Sequence, residues 1–332
     1  MKRAERNLLS LIFSGVPNSV LCALSRMELI IPYYHMISDV EVPHVKHLYR
    51  HKDVRRFQSD LDYLLRHYRP ASLPDLVRES RAGKISPRKA FLLTFDDGFR
   101  EMHDVVAPIL RRKGIPATFF LSSGFIDNQD LCYKNKASLL VEEIHRIRSG
   151  ALLKKTASVF GADPDRIPEL AETILNVGYG GKELIDRALR AIEFDLDGYL
   201  KEARPYLSTG QIGSLLKDGF HIGAHSIDHP LYADLPLEEQ IRQTLDSVRE
   251  IRQAFRLDYG VFAFPHSDRN VTGQFYEEIH KDRKVDISFG TGGLKNDLGS
   301  RHLQRFSMEK PLHGARRILG YHYARAIFRN PM

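Results

Sequence analysis

An α/β fold, in which short buried strands alternate with helices, is predicted by three features of the sequence. Apolar runs recur at 29–34, 90–95, 117–121, 220–224, 261–264 and 285–289. Helical patterns bounded by cap and breaker residues lie between several of them. The residues richest in chemistry follow directly after these runs, where βα loops of parallel-strand folds build active sites.

Taken in order, the chain opens with Lys2, Arg3 and Arg6 ahead of a semi-apolar stretch that Ser10, Ser14, Pro17, Asn18 and Ser19 interrupt. No uninterrupted membrane-length run exists there, so 1–28 reads as a retained amphipathic segment able to make peripheral membrane contact rather than as a span. Residues 29–34 form the first strand. Asp53 then caps a helix whose Val54, Phe57, Leu61 and Leu64 share one face. Ser72-Leu73-Pro74-Asp75 opens another in capping-box style. The run 90–95 is almost wholly apolar, as a central buried strand requires. A helix with Val105, Val106, Ile109 and Leu110 stops at Gly114, with Pro116 beyond, and 117–121 returns as a strand. From about 131 to 208 only helical patterns appear, broken near Gly161, Pro164, Gly178 and Gly180. This region reads as an insertion within one barrel spanning 29–310. After Pro236, a helical stripe of Ile241, Leu245, Val248, Ile251 and Phe255 is expected to face the core. Residues 311–332 hold a basic helix over 316–328, expected to pack on the barrel.

The net charge of +7 comes from Lys and Arg mixed among 42 acidic residues. With no nucleic-acid-binding motif or aromatic-basic interleave, a nucleic-acid partner is not expected. Cys22 and Cys132 have neither disulfide-framework nor zinc-knuckle spacing. Tryptophan is absent, so Tyr and Phe must supply any platform for a sugar.

The sharpest local signal is Thr94-Phe95-Asp96-Asp97-Gly98 at the end of the buried strand. Two adjacent carboxylates there are costly unless neutralised. A lone Asp-Asp-Gly would ordinarily be an acidic loop capping the next helix; its place at a strand end raises the functional reading. The second signal is His225-Ser226-Ile227-Asp228-His229-Pro230, again after a strand. Two histidines at i and i+4 can face one metal. An Asp from one strand end and two His from another supply three ligands and leave positions open, the arrangement of a hydrolytic site. His44, His47 and His51 are irregularly spaced among basic residues and read as a solvated loop.

With these motifs in this order, the chain resembles the polysaccharide deacetylase, or NodB-homology, family (carbohydrate esterase family four). The likeness includes T-F-D-D-G, H-[ST]-x-x-H-P, the strand end Tyr33-Tyr34-His35, the run Pro116-Ala117-Thr118-Phe119-Phe120, and Phe262-Ala263-Phe264-Pro265 as the third motif. It extends from about residue 31 to 305, apart from the insertion. The resemblance implies a distorted (β/α)7 barrel with one divalent metal held by Asp97, His225 and His229, and Asp96 as general base. It implies attack of metal-activated water on the N-acetyl group of an amino sugar in a polysaccharide, oligosaccharide or lipid-linked glycan, releasing acetate. Zinc suits this ligand set; cobalt, nickel and iron are compatible with it.

The sequence departs from the family in two places. Where many members carry an arginine before the third-motif proline and a tyrosine after it, this chain has Ala263 and His266. Arg305, in the last strand, is our candidate for supplying the missing guanidinium to Asp96. No Leu-x-His fifth motif is recognisable; His302 and His313 are poor matches, and the general acid is left unassigned. His35, Phe264, Pro265, His266 and Arg305 are carried forward as candidate substrate-binding or orienting residues. The 38–52 loop and the insertion are expected to shape the substrate groove. Two other readings stand beside the favoured one. The same fold could act on a different amide or an O-acetyl ester, or it could be a non-catalytic glycan-binding descendant, which the intact carboxylates and histidines disfavour. Location is left open between a cytoplasmic or membrane-surface enzyme and an exported one; oligomeric state is unspecified.

Overall fold

The computed structural model describes residues 16–85, 89–147, 149–295, 299 and 301–329; the part of the N-terminal segment before residue 16 lies outside them. Short strands carry the fold: β1 (Leu29–Ile30), β2 (Pro32–Tyr34), β3 (Arg69–Pro70), β4 (Ala90–Phe91), β5 (Leu93–Phe95), β6 (Ala117–Leu121), β7 (His221–Ala224), β8 (Val261–Ala263), β9 (Ile287–Gly290), β10 (His302–Gln304) and β11 (Phe306–Ser307). The larger sheet runs β10-β9-β8-β7-β6-β5-β2-β11, and a smaller one runs β1-β4-β3. All pairings among the described residues are parallel.

Only Arg305 separates β10 from β11, so the two edges of the larger sheet are one stretch of chain. That stretch pairs with β9 on one side and β2 on the other, and it closes the sheet into a barrel. Arg305 N donates to Gly290 O at 3.2 Å and Phe306 N to Ile31 O at 3.1 Å across the seam. Ile31 and Leu92 interrupt β1/β2 and β4/β5 in the same way, so these pairs each make one stave and the ring has seven. The (β/α)7 expectation is met.

Alternation along the strands explains the two cores. Phe119 points outward, packing on Phe95 and Phe220 at ring separations of 5.2 and 5.6 Å. Its neighbour Phe120 points inward to Phe289 at 5.3 Å across the barrel. Inward residues Ile31, Phe120, Ala263 and Phe289 form one cluster with Leu73, Leu76 and Val77 of the helix Leu73–Arg81. Filling a narrow barrel with side chains is what makes it a core rather than a pore. Gly223 in β7 is required by this packing: a Cβ there would lie 2.5 Å from the Phe120 ring.

The helices follow their sequence signals. Asp53 accepts from Arg56 N at 2.7 Å, opening Val54–His67, whose Phe57, Leu61 and Leu64 are buried. The long helix Leu237–Phe255 differs from expectation. Val248 and Ile251 are buried, but the rest of its buried face is Gln240, Gln243, Thr244 and Ser247, while Ile241, Leu245 and Phe255 are only partly covered. The polar face is buried because it hydrogen-bonds the loops after β7. At the chain's end, Ala315–Arg329 buries Ile318, Leu319, Tyr323 and Ala326 in the barrel unit's core, beside Leu21 and Cys22 of the helix Asn18–Ser25. Both cysteines are free and buried, and no helix among the described residues is long and apolar enough to cross a membrane.

Residues 40–50 and 127–206 form a second compact unit. Its helices Tyr133–Arg146, Gly150–Phe160, Ile167–Leu175, Lys182–Ala191 and Leu196–Ala203 surround a core of their own, including Leu140, Ile144, Leu170, Ile174, Ile185 and Leu189. The solvated-loop reading of His44 and His47 is corrected here. His44 is buried, its Nδ1 lies 2.8 Å from Tyr199 Oη, and its carbonyl accepts from Asn135. His47 Nε2 lies 2.9 Å from Glu142. Segment 40–50 thus folds onto the helix Tyr133–Arg146 through its histidines.

One buried ion pair ties together elements far apart in sequence. Lys52 and Asp60 are 0% and 1% exposed. Asp60 accepts from Lys52, from Tyr34 Oη at 3.0 Å, and from Ala315 N at 2.7 Å. Asp60→Ala leaves the Lys52 ammonium buried without its carboxylate, and should destabilise the fold by about 3–5 kcal/mol. The urea-unfolding midpoint measures this; a loss below about 1 kcal/mol would put the pair among ordinary surface contacts.

Candidate metal centre and active site

The site sits at the C-terminal ends of β5, β7 and β8. After β5 the backbone enters Asp96 in an extended course, then passes through left-handed conformations at Asp97 (φ +71°) and Gly98 (φ +74°). Glycine is needed at 98 both for that φ and because a Cβ would lie 3.0 Å from Leu121 Cδ2. The reversal sends the two neighbouring carboxylates in different directions.

Asp97 turns toward the β7 loop. Its Oδ1 lies 3.4 Å from His225 Nε2 and 3.1 Å from His229 Nε2. Among the described residues these three side chains form the one group with metal-ligating atoms all within 4.8 Å of one another. His225 Nδ1 donates to the Ala263 carbonyl at 2.8 Å. That bond puts the ring proton on Nδ1 and aims the Nε2 lone pair at Asp97. Burial, outweighing the nearby carboxylates, lowers the His225 pKa and keeps the ring neutral. Asp97 Oδ1 and His225 Nε2 are buried without a hydrogen bond. Acceptor facing acceptor with no donor between them is unfavourable unless a cation sits there. Donors about 2.0–2.1 Å from a tetrahedral ion lie roughly 3.3 Å apart, close to the separations found. The residues fit a divalent metal.

The β7 loop is fixed from several sides. Ser226 Oγ accepts from His229 N at 3.0 Å, which gives the serine of the motif its purpose. Gln243 accepts from Ile227 N at 3.0 Å and donates to Asp228 at 2.8 Å. Ser122 Oγ donates to His225 O, and Ser123 N and Gly124 N donate to the carbonyls of Ser226 and Ile227. Ser226, His229 and His266 all have left-handed φ, between +54° and +67°. Strained backbone of this kind persists where surrounding bonds over-determine it, and it gathers at functional sites.

Asp96 faces the barrel seam. Arg305 Nη1 and Nη2 donate to its two carboxylate oxygens at 2.6 and 2.8 Å. The guanidinium also donates to Thr94 Oγ1 and Gly290 O, each at 3.3 Å. It lies between the rings of Tyr33 and Phe120, 4.8 and 5.2 Å from their centroids. Burial raises the Asp96 pKa, but Arg305 outweighs it and holds the carboxyl below its ordinary value. For Asp97, burial is likewise overcome, first by His35 and then by His229, and its pKa falls well below the usual range.

Glu309, which sequence reasoning missed, completes the site. Its carboxylate accepts from His35 N at 2.7 Å and Met36 N at 3.1 Å, and pairs with His35 Nδ1. Burial pulls the His35 pKa down, but Glu309 and Asp97 together lift it to about 9. No sequence motif marked Glu309; the only clue was an acid two residues beyond the last strand. Gln243 was also missed, hidden in a helix read for its apolar stripe.

The remaining candidates separate. His266 is exposed, with its ring edge-to-face on His229 at 4.5 Å. Pro265 is buried. Phe264 is corrected from a substrate contact to a core residue, because it is 0% exposed and packed among Tyr232, Phe262 and Phe275. His302 is buried beside Ser288 and Asp268.

Comparison with known proteins agrees with this architecture. No curated protein matches the chain by sequence. Among solved structures, the deacetylase PplD of Streptococcus pyogenes, in complex with acetate, superposes with a TM-score of 0.57 at 15% identity, covering 89% of this chain and 98% of that one. IcaB from Ammonifex degensii gives 0.53 at 15% identity, covering 90% and 97%. A de-N-acetylase from Aggregatibacter actinomycetemcomitans gives 0.51 at 15% identity, covering 84% and 94%. At such identities the shared feature is the fold. The family model for polysaccharide deacetylases matches residues 83–174 and 184–279, more than half of the sequence. The chain therefore belongs to the polysaccharide deacetylase family.

Proposed function

We propose that the chain hydrolyses an N-acetyl group of an amino sugar within a glycan, using one divalent metal, best matched by zinc, held by Asp97, His225 and His229. The observation that carries this reading is the pairing of two adjacent carboxylates with opposite partners: Asp97 with two imidazoles, Asp96 with a buried guanidinium. Asp97, His225 and His229 would hold that ion, which would supply Lewis-acid polarisation of the acyl carbonyl and make water easier to deprotonate.

The chain's own residues supply the proton transfers. Asp96 accepts the proton of the attacking water; its low pKa keeps it ionised and ready at neutral pH. Arg305 holds both of its oxygens, fixing the carboxylate plane relative to the metal ligands. The departing nitrogen must gain a proton as the C–N bond breaks. His35 is our candidate donor, paired with Glu309, which raises its pKa. Glu309 occupies Nδ1, so the proton leaves from Nε2. Acetate and a free amine result. His266, exposed with its ring against His229, is our candidate for lining the substrate side.

Four outcomes test this reading. Acetate release from N-acetylglucosamine oligomers should disappear on chelation and return with zinc. Asp96→Asn should lower kcat by about 10²–10⁴-fold while leaving metal content unchanged; near-native turnover would remove Asp96 from the chemistry. Arg305→Lys loses the two-pronged grip, so the Asp96 pKa rises and the acidic limb of kcat/KM moves to higher pH. An unmoved limb would leave Arg305 as a packing residue. Glu309→Gln removes the group that raises His35, so the basic limb should move to lower pH. A basic limb fixed in place would show that His35 is not the proton donor.

A further inference from the structure

The chain leaving β8 makes a reversal that the reaction does not by itself account for. Ala263 O orients the His225 ring, and three residues later His266 takes a left-handed φ of +54° with its ring edge-to-face on His229. Both histidines of the cluster therefore lean on the same few residues, one on a carbonyl and the other on a ring. A non-glycine residue at positive φ persists only where its surroundings fix it.

The fixing bonds converge on Asp268, whose side chain is only 10% exposed. Its Oδ1 accepts from Thr291 N at 3.1 Å, and its Oδ2 accepts from Gln304 Nε2 at 2.6 Å. His302 Nε2 lies 3.2 Å from the same Oδ2. An ionised carboxylate can only accept, so the ring proton is on Nε2, and Nδ1 is left to accept from Ser288 Oγ at 2.8 Å. Burial raises the Asp268 pKa, but His302, Gln304 and Thr291 outweigh it and keep the carboxyl ionised. The segment after β9 then returns to the β8 loop, because Thr291 Oγ1 donates to His266 O at 3.2 Å. Gln304 Oε1 accepts from Gly292 N at 2.5 Å. In the same segment Gly293 N donates to Arg305 O at 3.0 Å, and Gly290 O accepts from Arg305 N and Nε. One carboxylate thus stands between the loop that supports the histidines and the backbone that surrounds the partner of Asp96.

We propose that Asp268 is a positioning residue for the metal centre: by tying the β8 loop to β10 and the segment after β9, it holds His266 against His229 and so fixes a ring that would ligate the metal. His266 is exposed, and its place over His229 depends on the bent backbone beneath it. Groups that orient a ligand from behind are worth about 10–100-fold in metal affinity. The inference rests on the proposed ligation by Asp97, His225 and His229, and is independent of the substrate and of the proton transfers.

Zinc affinity of the full chain, measured by competition with a chromogenic chelator, tests it without recourse to activity. Asp268→Asn keeps the size of the side chain but turns an N–H group toward one of its present donors, and should weaken zinc binding by about 10–100-fold. His266→Ala should weaken it by a similar factor. Because Asp268 acts through His266, the double variant should bind no more weakly than the weaker single one. Asp286→Asn controls for general loosening. Its carboxylate braces β8 and β9 at their other ends, through Arg81 and Gly260 N, so its loss should lower the urea-unfolding midpoint and leave zinc affinity unchanged. Native affinity in Asp268→Asn, losses that multiply in the double variant, or an equal loss in Asp286→Asn each overturn the proposal. If Asp268→Asn does not fold, His266→Ala and Thr291→Val decide: both should weaken zinc binding, and native affinity in either overturns it. A native chain that binds no zinc, or binds it equally well after His225→Ala, overturns the metal reading and this inference together. Zinc binding that needs His225 but is indifferent to Asp268 sinks the inference alone.

Discussion

The geometry of the site depends on the buried pair between Asp96 and Arg305. The two residues are 209 positions apart and only 2% and 0% exposed. Taking both charges out of water costs several kcal/mol for each ion, so a pair of this kind survives only with nearly complete compensation. Here the guanidinium has two carboxylate oxygens, a hydroxyl, a carbonyl and two aromatic faces. All of these partners come together only when the last stave closes the ring. Arg305 occupies the break between β10 and β11, where the backbone changes partner from β9 to β2. Closing the barrel and orienting the carboxylate are therefore a single event, and a fold that failed to close would also leave Asp96 unpaired.

The same turn divides labour between adjacent residues. Asp96 continues the strand and looks across the barrel at the seam, whereas Asp97, reversed by its positive φ, looks along the rim at the β7 loop. Two carboxylates in series would otherwise repel and compete for one proton. Separate partners keep both ionised, as the proposed division between a cation ligand and a proton acceptor requires. The cost is backbone strain at Asp97, Ser226 and His229, of order 1–3 kcal/mol each. It is offset by the bonds that Ser226, Gln243, Ser122 and Gly124 make to the β7 loop. The polar face of Leu237–Phe255 has its explanation here: it gives up apolar burial to supply the groups that hold the histidines.

What could be read from sequence was what is local in sequence. The strands at 90–95 and 117–121, the Asp53 cap, and the Asp-Asp-Gly and His-x-x-x-His motifs each declare themselves within a few residues, and the structure places them nearly as expected. Arg305 could be proposed only because a missing arginine at 263 left a role open. Glu309 could not be proposed, since its meaning lies in His35, which is 274 positions away. Segment 40–50 misled for a similar reason. Its histidines and basic residues look solvated until Tyr199, Asn135 and Glu142, some 90–155 residues further on, are placed beside them. The stripe on Leu237–Phe255 was legible as a helix but not in its facing, because periodicity rewards apolar positions and is blind to buried amides that serve a loop.

The chain's positive charge is a poor guide to its chemistry for a related reason. Lys89 and Asp96 lie on the same stave, seven residues apart; at about 3.3 Å per residue the exposed Lys89 is roughly 23 Å from the Asp96 carboxylate. Exposed charges at that range are attenuated by a screening length of about 8 Å in physiological salt. The groups that set the ionisation of Asp96 and Asp97 are instead the nearby ones at the site: Arg305, His35 and the histidines of the β7 loop. Electrostatics at the two ends of the barrel are thus nearly independent. The N-terminal end can carry exposed charge without disturbing the proton inventory at the other, and a basic isoelectric point does not imply a basic site at Asp96 and Asp97.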